Sequence, residues 1–354
     1  MIVPVSIRSA GRRNMRCVLH IGTEKTATTS IQSWLYQNKA TLSRNGIALS
    51  HVLGEGNNRA LCARFQPEID DYLLDMGIRD EAGKKARFAT FLDDFEAEIR
   101  WLNLSHTTMI ITSEHFHRRM TSEQNIAELR DFLYRNFSSI QIVCYFREQS
   151  EVRKSLYSTG IKGGDTCRIQ DFQNDDQTET HYYNYKKMLD KWSACFGKSC
   201  ITRRIFRTNL FPDKDIRKDF LNICRLKIPS DSLDFSSTHD NKGLTRFQAL
   251  LARQVNKVFP RYNRNGKYSW IRDRAVYVIS SFRMFRLGGA ISDPRQKHFY
   301  AAFNETNKDF FYEYFGVKEN LFSAPLPHQA TETLFSLLSS DPATSGALAA
   351  RERT

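Results

Sequence analysis

The stretch Gly22–Ser30, with the sequence GTEKTATTS, decides the fold of this chain. It follows the apolar run Cys17–Ile21, which predicts a short buried strand, and it precedes Ile31–Tyr36, whose apolar residues suit one face of a helix. In a strand–turn–helix unit, backbone N–H groups and the positive end of the helix dipole converge at the turn. Lys25 adds a positive charge, and the threonine hydroxyls can donate to phosphate oxygens. The stretch therefore predicts a binding loop for a phosphorylated small molecule.

The position of the lysine indicates which kind of phosphate loop this is. A Walker A loop has four residues between its first glycine and a Gly-Lys-Ser/Thr end, whereas Lys25 stands three positions after Gly22 and follows Glu24. This shorter loop encloses fewer oxygens and is poorly suited to a triphosphate with its magnesium. A P-loop kinase or NTPase is therefore an alternative that the spacing disfavours. Ala27 would be strained by about 1 kcal/mol or more if its φ is positive, and unstrained within the first helical turn.

A second strand end carries residues that suit a second phosphate. Ile140–Phe146 is a strongly β-prone run, Arg147 follows it, and Ser155 lies eight residues further on in a predicted helix. An arginine at the carboxyl end of a strand can bind phosphate through two N–H groups, and the helix would bring Ser155 two turns along the same groove. The alternative is that Arg147 pairs with Glu148 or Glu151 and that Ser155 lies on a solvent-exposed face.

The two motifs together resemble those of the sulfotransferase family, above all its bacterial carbohydrate-type members. Their loop often reads Gly-x-x-Lys-Thr-Gly-Thr-Thr, and this chain departs from it at Ala27, where the family usually has Gly. The resemblance spans residues 16–320. The Arg-Lys-Gly motif that is typical of cytosolic steroid and phenol sulfotransferases is not visible, which points towards the carbohydrate-type branch.

The resemblance implies a fold, a donor and a set of site residues. The fold is α/β, a parallel β-sheet flanked by helices in the P-loop-containing nucleotide hydrolase-like (sulfotransferase) architecture, with helical insertions. The co-substrate is 3′-phosphoadenosine 5′-phosphosulfate (PAPS), without a metal, and the acceptor is a hydroxyl, on a glycan or glycoconjugate. Lys25 would neutralise charge on the leaving phosphate, and Arg147 with Ser155 would bind the 3′-phosphate. The 5′-phosphate would bind the loop residues Gly22, Thr23, Lys25, Thr26, Ala27, Thr28 and Thr29.

The base that accepts the proton of the acceptor hydroxyl is expected after the apolar run that ends at Thr112, where the family places acidic or histidine bases. Glu114 is the first candidate, because carbohydrate-type relatives commonly use Glu. His115 is the second, since imidazole titrates near neutral pH. An equally weighted alternative for Glu114 is an ion pair with Arg118 or Arg147.

No metal site is predicted, because His115 and His117 lack a third ligand. His20, inside the first strand, is interpreted as a core histidine. The seven cysteines form no Cys-x-x-Cys pair, which favours reduced thiols and a cytoplasmic location. No stretch of the sequence has the length and apolarity of a membrane span.

The apolar patterns predict alternating strands and helices around a parallel sheet. The predicted strands are 16–21, 107–112, 140–146 and 200–206. The predicted helices are 28–44, 84–102, 122–136, 148–158, 182–196, 214–225, 244–258, 268–285 and 296–315. Residues 51–80 are expected to form an irregular insertion and 165–180 a mobile loop. The domain organisation is a basic extension over 1–15, the sulfotransferase domain over 16–320 and a flexible tail over 321–354.

The charge of the chain suits an anionic partner without selecting one. The 354 residues carry a formal net charge of +13, which fits nucleic acid, anionic polysaccharide or a doubly phosphorylated nucleotide. A non-catalytic nucleic-acid-binding protein is therefore a second alternative, but no helix-turn-helix or RNA-recognition signature is found. That alternative also leaves the order of Lys25, Arg147 and Ser155 unexplained. The oligomeric state stays open.

Overall fold

The computed structural model describes residues 14–172, 181–236, 243–261 and 269–322. Its strands are β1 Arg16–Gly22, β2 Ile47–Leu49, β3 Thr108–Thr112, β4 Ile140–Phe146 and β5 Ile201–Ile205. They form one parallel sheet in the order β2-β3-β1-β4-β5. Helices cover both faces of this sheet, so the predicted α/β fold is confirmed.

One or more helices follow each strand in the described residues. They are α1 Thr28–Gln37, α2 Lys39–Arg44, α3 Arg59–Phe65, α4 Asp71–Asp75, α5 Glu81–Arg87, α6 Phe91–Leu102, α7 His115–Arg119, α8 Glu123–Asn136, α9 Gln149–Gly163, α10 Tyr185–Phe196, α11 Ile216–Ile223, α12 Arg246–Val258, α13 Trp270–Ser281, α14 Gln296–Ala302 and α15 Asn304–Phe315. None of these helices is long and apolar enough to cross a membrane.

The four predicted strands are present, each within one residue of its predicted ends. β2 was not predicted, because three residues are too few to show a strand pattern. It lies at the edge of the sheet, where Ile47 pairs with Thr108.

Three predicted helices are each divided in two: 28–44 into α1 and α2, 84–102 into α5 and α6, and 296–315 into α14 and α15. Asn38 separates the first pair. Its Nδ2 donates to the carbonyls of Trp34 and Asp234, both at 2.9 Å, and its Oδ1 accepts the N–H of Asp234 at 2.7 Å. A side chain that binds a distant segment therefore sets this break.

The prediction of an irregular insertion over 51–80 is wrong, because α3 and α4 lie within it. Asp70 caps α4 by accepting the N–H of Leu73 at 3.2 Å. The same carboxylate is 2.8 Å from Arg59 and 3.2 Å from Arg119. These short helices depend on contacts between segments, which the local sequence pattern does not reveal.

The side chains of β1 alternate between two apolar layers. Cys17, Leu19 and Ile21 face the larger layer, which includes α3, α6, α8, α10 and α15, whereas Val18 faces the layer of α1 and α11. Both faces of this central strand are buried, which explains why its sequence is a continuous apolar run.

A third apolar cluster joins α12 and α13 to α9 on the carboxyl side of β4. Arg272, 2% exposed, donates to the carbonyls of Ile161 and Lys162 at 3.2 and 2.6 Å. Asn256 also donates to the Ile161 carbonyl, at 2.8 Å. These contacts satisfy carbonyl groups at the C-terminal end of α9.

Several predicted features lie outside the described residues. These are residues 1–13 of the basic extension, residues 173–180 of the loop over 165–180, and the tail from 323 onwards. In the described part of that loop, the buried Arg153 donates to the carbonyls of Ile169 and Phe172 at 2.8 and 2.9 Å. The three-part domain organisation stays a prediction.

Candidate active site

The loop between β1 and α1 is anchored by two of its threonines. Thr23 donates its backbone N–H and its hydroxyl to the carbonyl of Tyr145 on β4, at 3.0 and 2.9 Å. The hydroxyl of Thr26 donates to the carbonyl of Thr23 at 2.7 Å. Both side chains are fully buried. In this arrangement the hydroxyl protons of Thr23 and Thr26 shape the loop.

The groups that are open to an anion are the amides at the start of α1. Within the described parts of the chain, the N–H groups of residues 25–29 donate no hydrogen bond. Thr28 and Thr29 occupy the first turn of the helix, and Thr29 is exposed. Unpaired N–H groups and the helix dipole both favour a negative charge at this point. The start of α1 therefore offers unpaired N–H groups, and the binding of an anion there stays a prediction.

Ala27 has φ +58° and ψ +30°, which is the left-handed region that favours glycine. Of the two cases considered for this residue, the strained one therefore applies. For a residue with a Cβ, this conformation costs roughly 1–2 kcal/mol. The loop keeps its shape against this cost, so the surrounding contacts of Thr23 and Thr26 must impose it.

Replacing Ala27 by Gly should stabilise the protein by about 0.5–1 kcal/mol. Relief of the left-handed strain exceeds the extra entropy that glycine adds to the unfolded chain. Urea unfolding measures the change in the free energy of unfolding. The matched control is Ala97→Gly, on the exposed side of α6, which should destabilise by about 1 kcal/mol. A lower free energy of unfolding for Ala27→Gly than for the unchanged protein would contradict the backbone strain at Ala27.

The side chain of Lys25 contacts α9. Its Nζ donates to the Thr159 hydroxyl at 3.0 Å. Ser155 lies one turn before Thr159 on the same helix, is half-buried, and accepts the Thr159 hydroxyl with its carbonyl at 3.1 Å. Burial lowers the pKa of Lys25, while Glu24 and Glu114 act in the opposite direction. The structure thus brings the lysine of the first motif beside the serine-bearing helix of the second.

Arg147 connects the two motifs directly. Its Nη1 donates to the carbonyl of Lys25 at 3.0 Å, and its Nη2 lies 3.6 Å from the carboxylate of Glu151. The guanidinium carbon is 5.5 Å from the ring centroid of Phe206. Burial lowers the pKa of Arg147. The ion pair with Glu151, one of the alternatives considered, is therefore present, and it lies at the same edge of the sheet as the loop.

Lys162 and Arg286 are two further cations of this region, and only Arg286 was not singled out from the sequence. Burial lowers the pKa of Lys162, at the end of α9, and the positive charges of Arg286 and Lys25 lower it further. These side chains come from three distant segments. Only the packing of α9 against the C-terminal helices shows that they share one region, and the local sequence carries no signal for Arg286.

Glu114 lies between the start of the loop and α1. Its Oε2 accepts from Gln32 Nε2 at 2.8 Å and from Asn57 Nδ2 at 2.9 Å. A Cβ on Gly22 would come within 3.2 Å of the Glu114 Cα, and Gly22 has φ +107°. Glycine is therefore required where the backbone of the loop meets Glu114.

The two arginines considered as partners of Glu114 bind other carboxylates. Arg118 is 3.5 Å from Glu24, and Arg147 pairs with Glu151. The predicted ion-pair alternative for Glu114 is therefore replaced by two neutral amide donors. Glu24 is buried and accepts the Tyr182 hydroxyl at 2.7 Å. Burial alone would raise the pKa of Glu24, but Arg118 and the Tyr182 hydroxyl hold it below its usual value.

The histidines near the site have different environments. The Nδ1 of His115 is buried and has no hydrogen-bond partner among the described residues, and burial lowers the pKa of this ring. His117 contacts Glu24 N–H at 3.4 Å and the Tyr182 carbonyl at 3.0 Å, and burial lowers its pKa to about 4. No three His, Cys, Asp or Glu side chains converge as metal ligands in the described part of the chain.

His20 lies in the core, as interpreted from the sequence. It is fully buried, and its Nδ1 is 2.8 Å from the Thr112 hydroxyl. Burial lowers its pKa to about 3, so the ring stays neutral at physiological pH. Its second nitrogen has no partner among the described residues.

An archaeal protein and a bacterial sulfotransferase structure are similar to this chain. No protein-family model matches the chain. An uncharacterized protein of Archaeoglobus fulgidus is 27% identical over 218 residues, which are 59% of this chain and 54% of that protein. The chain thus spans about half the length of that relative. A crystal structure of a sulfotransferase from Alicyclobacillus acidocaldarius has 14% identity and a TM-score of 0.40, and the match covers 78% of this chain and 99% of that chain.

Proposed function

We propose that the protein is a sulfotransferase that moves a sulfonate group from PAPS to a hydroxyl on a carbohydrate. The observation that carries the proposal is the meeting of the two phosphate motifs. Arg147 donates to the carbonyl of Lys25, and Lys25 donates to Thr159 on the helix that carries Ser155. A nucleotide that is phosphorylated at both its 3′ and 5′ positions needs two such cationic sites in one cleft.

In this proposal, Lys25, the N–H groups of the loop and Glu114 would supply what sulfonate transfer needs. The transfer forms a bond between the acceptor oxygen and sulfur, breaks the bond from sulfur to the phosphate oxygen, and releases the proton of the acceptor hydroxyl. The open N–H groups of residues 25–29 would bind the 5′-phosphate, and the Nζ of Lys25 would neutralise the charge that develops there. Glu114 would accept the proton of the hydroxyl. The proposal includes no metal, since Lys25 supplies the positive charge.

The acceptor and the cellular location rest on the family resemblance. The proposed acceptor is a glycan or glycoconjugate, and the proposed catalytic domain spans residues 16–320. A cytoplasmic location is supported by the seven cysteines, since all seven lie in the described residues and none forms a disulfide.

Calorimetric titration with 3′,5′-phosphoadenosine, beside 5′-AMP, tests the donor site. Loss of the 3′-phosphate should weaken binding by about 2–3 kcal/mol, which is roughly 30- to 150-fold, because charge-assisted hydrogen bonds are lost. Equal or absent binding of both nucleotides would overturn the proposal. Tighter binding of MgATP, followed by its hydrolysis, would favour the NTPase alternative instead.

Arg147→Ala should remove most of the preference for the 3′-phosphate. We expect binding of 3′,5′-phosphoadenosine to weaken by about 2 kcal/mol, and binding of 5′-AMP to change little, because the guanidinium would contact the 3′-phosphate and not the 5′-phosphate. The control is Arg100→Ala, on the surface of α6, where Arg100 forms a long pair with Glu96 at 3.9 Å. If both nucleotides lose affinity equally, Arg147 only supports the loop through the Lys25 carbonyl.

A further inference from the structure

α13 and the segment after it expose a large apolar surface. On α13 the side chains of Arg272, Val276 and Ile279 are buried, and the opposite side faces solvent. Six large apolar residues of this region are 50–70% exposed: Trp270, Ile271, Tyr277, Phe282, Met284 and Leu287. We call these six residues the α13 surface. Single exposed apolar residues are common on proteins, but six within the eighteen residues 270–287 point to an interaction site.

The region around the α13 surface is strongly basic. The described residues of 246–261 and 269–291 contain eight Arg or Lys residues and one acidic residue, Asp273, in a chain whose net charge is +13. That acidic side chain accepts a hydrogen bond from Arg272. Arg274 is exposed on the same helix face as Trp270, and its guanidinium carbon is 5.9 Å from the ring centroid of Tyr277. This excess of positive charge favours an anionic partner.

We propose that the α13 surface binds the face of an anionic lipid bilayer. Aromatic rings favour the headgroup region, and arginines bind lipid phosphates there. The aliphatic side chains Ile271, Met284 and Leu287 gain free energy when they enter the boundary between the headgroups and the acyl chains. Nucleic acid would use the rings and the charges but gives no favourable environment to these aliphatic groups. A second copy of the chain would bring like charges together.

The α13 surface belongs to the layer that packs on the candidate active site. Arg272 and Asn256 bind the C-terminal carbonyls of α9, the helix that carries Ser155 and Thr159. Binding at the α13 surface would therefore hold α9 close to the bilayer. This inference stands on exposure and charge, and it does not depend on the proposed sulfonate transfer.

The tryptophans of the chain offer a direct test. Of the four, Trp34 and Trp192 are fully buried, whereas Trp101 and Trp270 are 68% and 70% exposed. The full chain would be mixed with vesicles of phosphatidylcholine that contain about one third phosphatidylglycerol, at low salt. In Trp101→Phe the tryptophan emission should shift to shorter wavelength on binding. In the matched variant Trp270→Phe it should not, since Trp101 lies on α6.

Sedimentation with the same vesicles measures how much the arginine charges contribute to the affinity for the bilayer. Each arginine near an anionic surface contributes about five-fold in affinity, so Arg274→Gln with Arg283→Gln should weaken binding about 25-fold. Trp270→Ser should weaken it further. The control, Arg100→Gln on α6, should bind like the unchanged protein. High salt should release the protein from the vesicles.

Four outcomes would overturn the proposal. They are absence of binding to anionic vesicles, equal binding to pure phosphatidylcholine vesicles, an emission shift that persists in Trp270→Phe, and loss of affinity in the Arg100→Gln control equal to that in the arginine pair. If the vesicles do not bind, titration with duplex DNA and sedimentation equilibrium identify the replacement. DNA affinity that depends on Arg274 would assign the surface to nucleic acid, and a dimer that Trp270→Ser dissociates would assign it to a second copy.

Discussion

Replacing Lys25 by Met should slow sulfonate transfer by roughly 10²–10³-fold at saturating donor. The methionine keeps most of the length of the side chain but removes the charge beside the leaving phosphate, and loss of one such stabilising group typically has this effect. Lys25 is half-buried and fixed on Thr159 at 3.0 Å, so water replaces its charge poorly. The measurement is transfer of labelled sulfonate from PAPS to an acceptor selected from a panel of hydroxylated sugars.

The Lys25 prediction separates catalysis from binding. Because the charge on the bridging oxygen develops only in the transition state, turnover should fall far more than the affinity for 3′,5′-phosphoadenosine. The control is Lys39→Met on α2, where Lys39 is 3.5 Å from Glu55 in an exposed pair of little energetic weight. Turnover within about three-fold of the unchanged protein would remove Lys25 from the proposed mechanism.

Glu114→Gln should lower turnover at least roughly 10²-fold, with nucleotide binding unchanged, because the amide cannot accept the proton of the acceptor hydroxyl. The fold should tolerate the change. Gln32 and Asn57 donate to the side chain at 2.8 and 2.9 Å, and the carbonyl oxygen of a glutamine can accept both bonds. The same labelled-transfer assay, with circular dichroism to check folding, measures the effect.

His115→Asn discriminates between the two candidate bases. If Glu114 is the base, His115→Asn should retain most of the turnover. If His115 is the base, the large loss of turnover should appear in His115→Asn and not in Glu114→Gln. Burial lowers the pKa of His115 below its ordinary 6.5, so its ring would become protonated, and turnover would fall, only below that pH. This acid limb would then be absent from His115→Asn. Full turnover in both variants would exclude both residues as bases.

The sequence allowed prediction of the elements whose structure depends on residues that are close together in the chain. β1 and β4 are continuous apolar runs because both faces of a central strand are buried. The polar loop after β1 and Arg147 after β4 then had to meet at the carboxyl edge of a parallel sheet. Short elements escaped prediction for the opposite reason. β2 has three residues, and α4 relies on Asp70 binding Arg59 and Arg119.

Within the candidate site, the sequence determined which residue types are present, and the tertiary structure decided what each one contacts. An ion pair with an arginine was one alternative for Glu114, but its carboxylate accepts from Gln32 and Asn57, which are 82 and 57 residues away in the sequence. Lys25 meets Thr159 across 134 residues. Ala27 adopts a left-handed conformation because anchored neighbours impose it.

The same distinction holds for α13. Its sequence shows a basic and aromatic segment, but only the packing against α9 determines that Arg272 is buried and Trp270 exposed. Apolar periodicity and turn chemistry act over a few residues, so a single sequence reveals them. Burial, ion pairing and backbone strain depend on side chains that folding brings together from distant segments, and only the tertiary structure decides them.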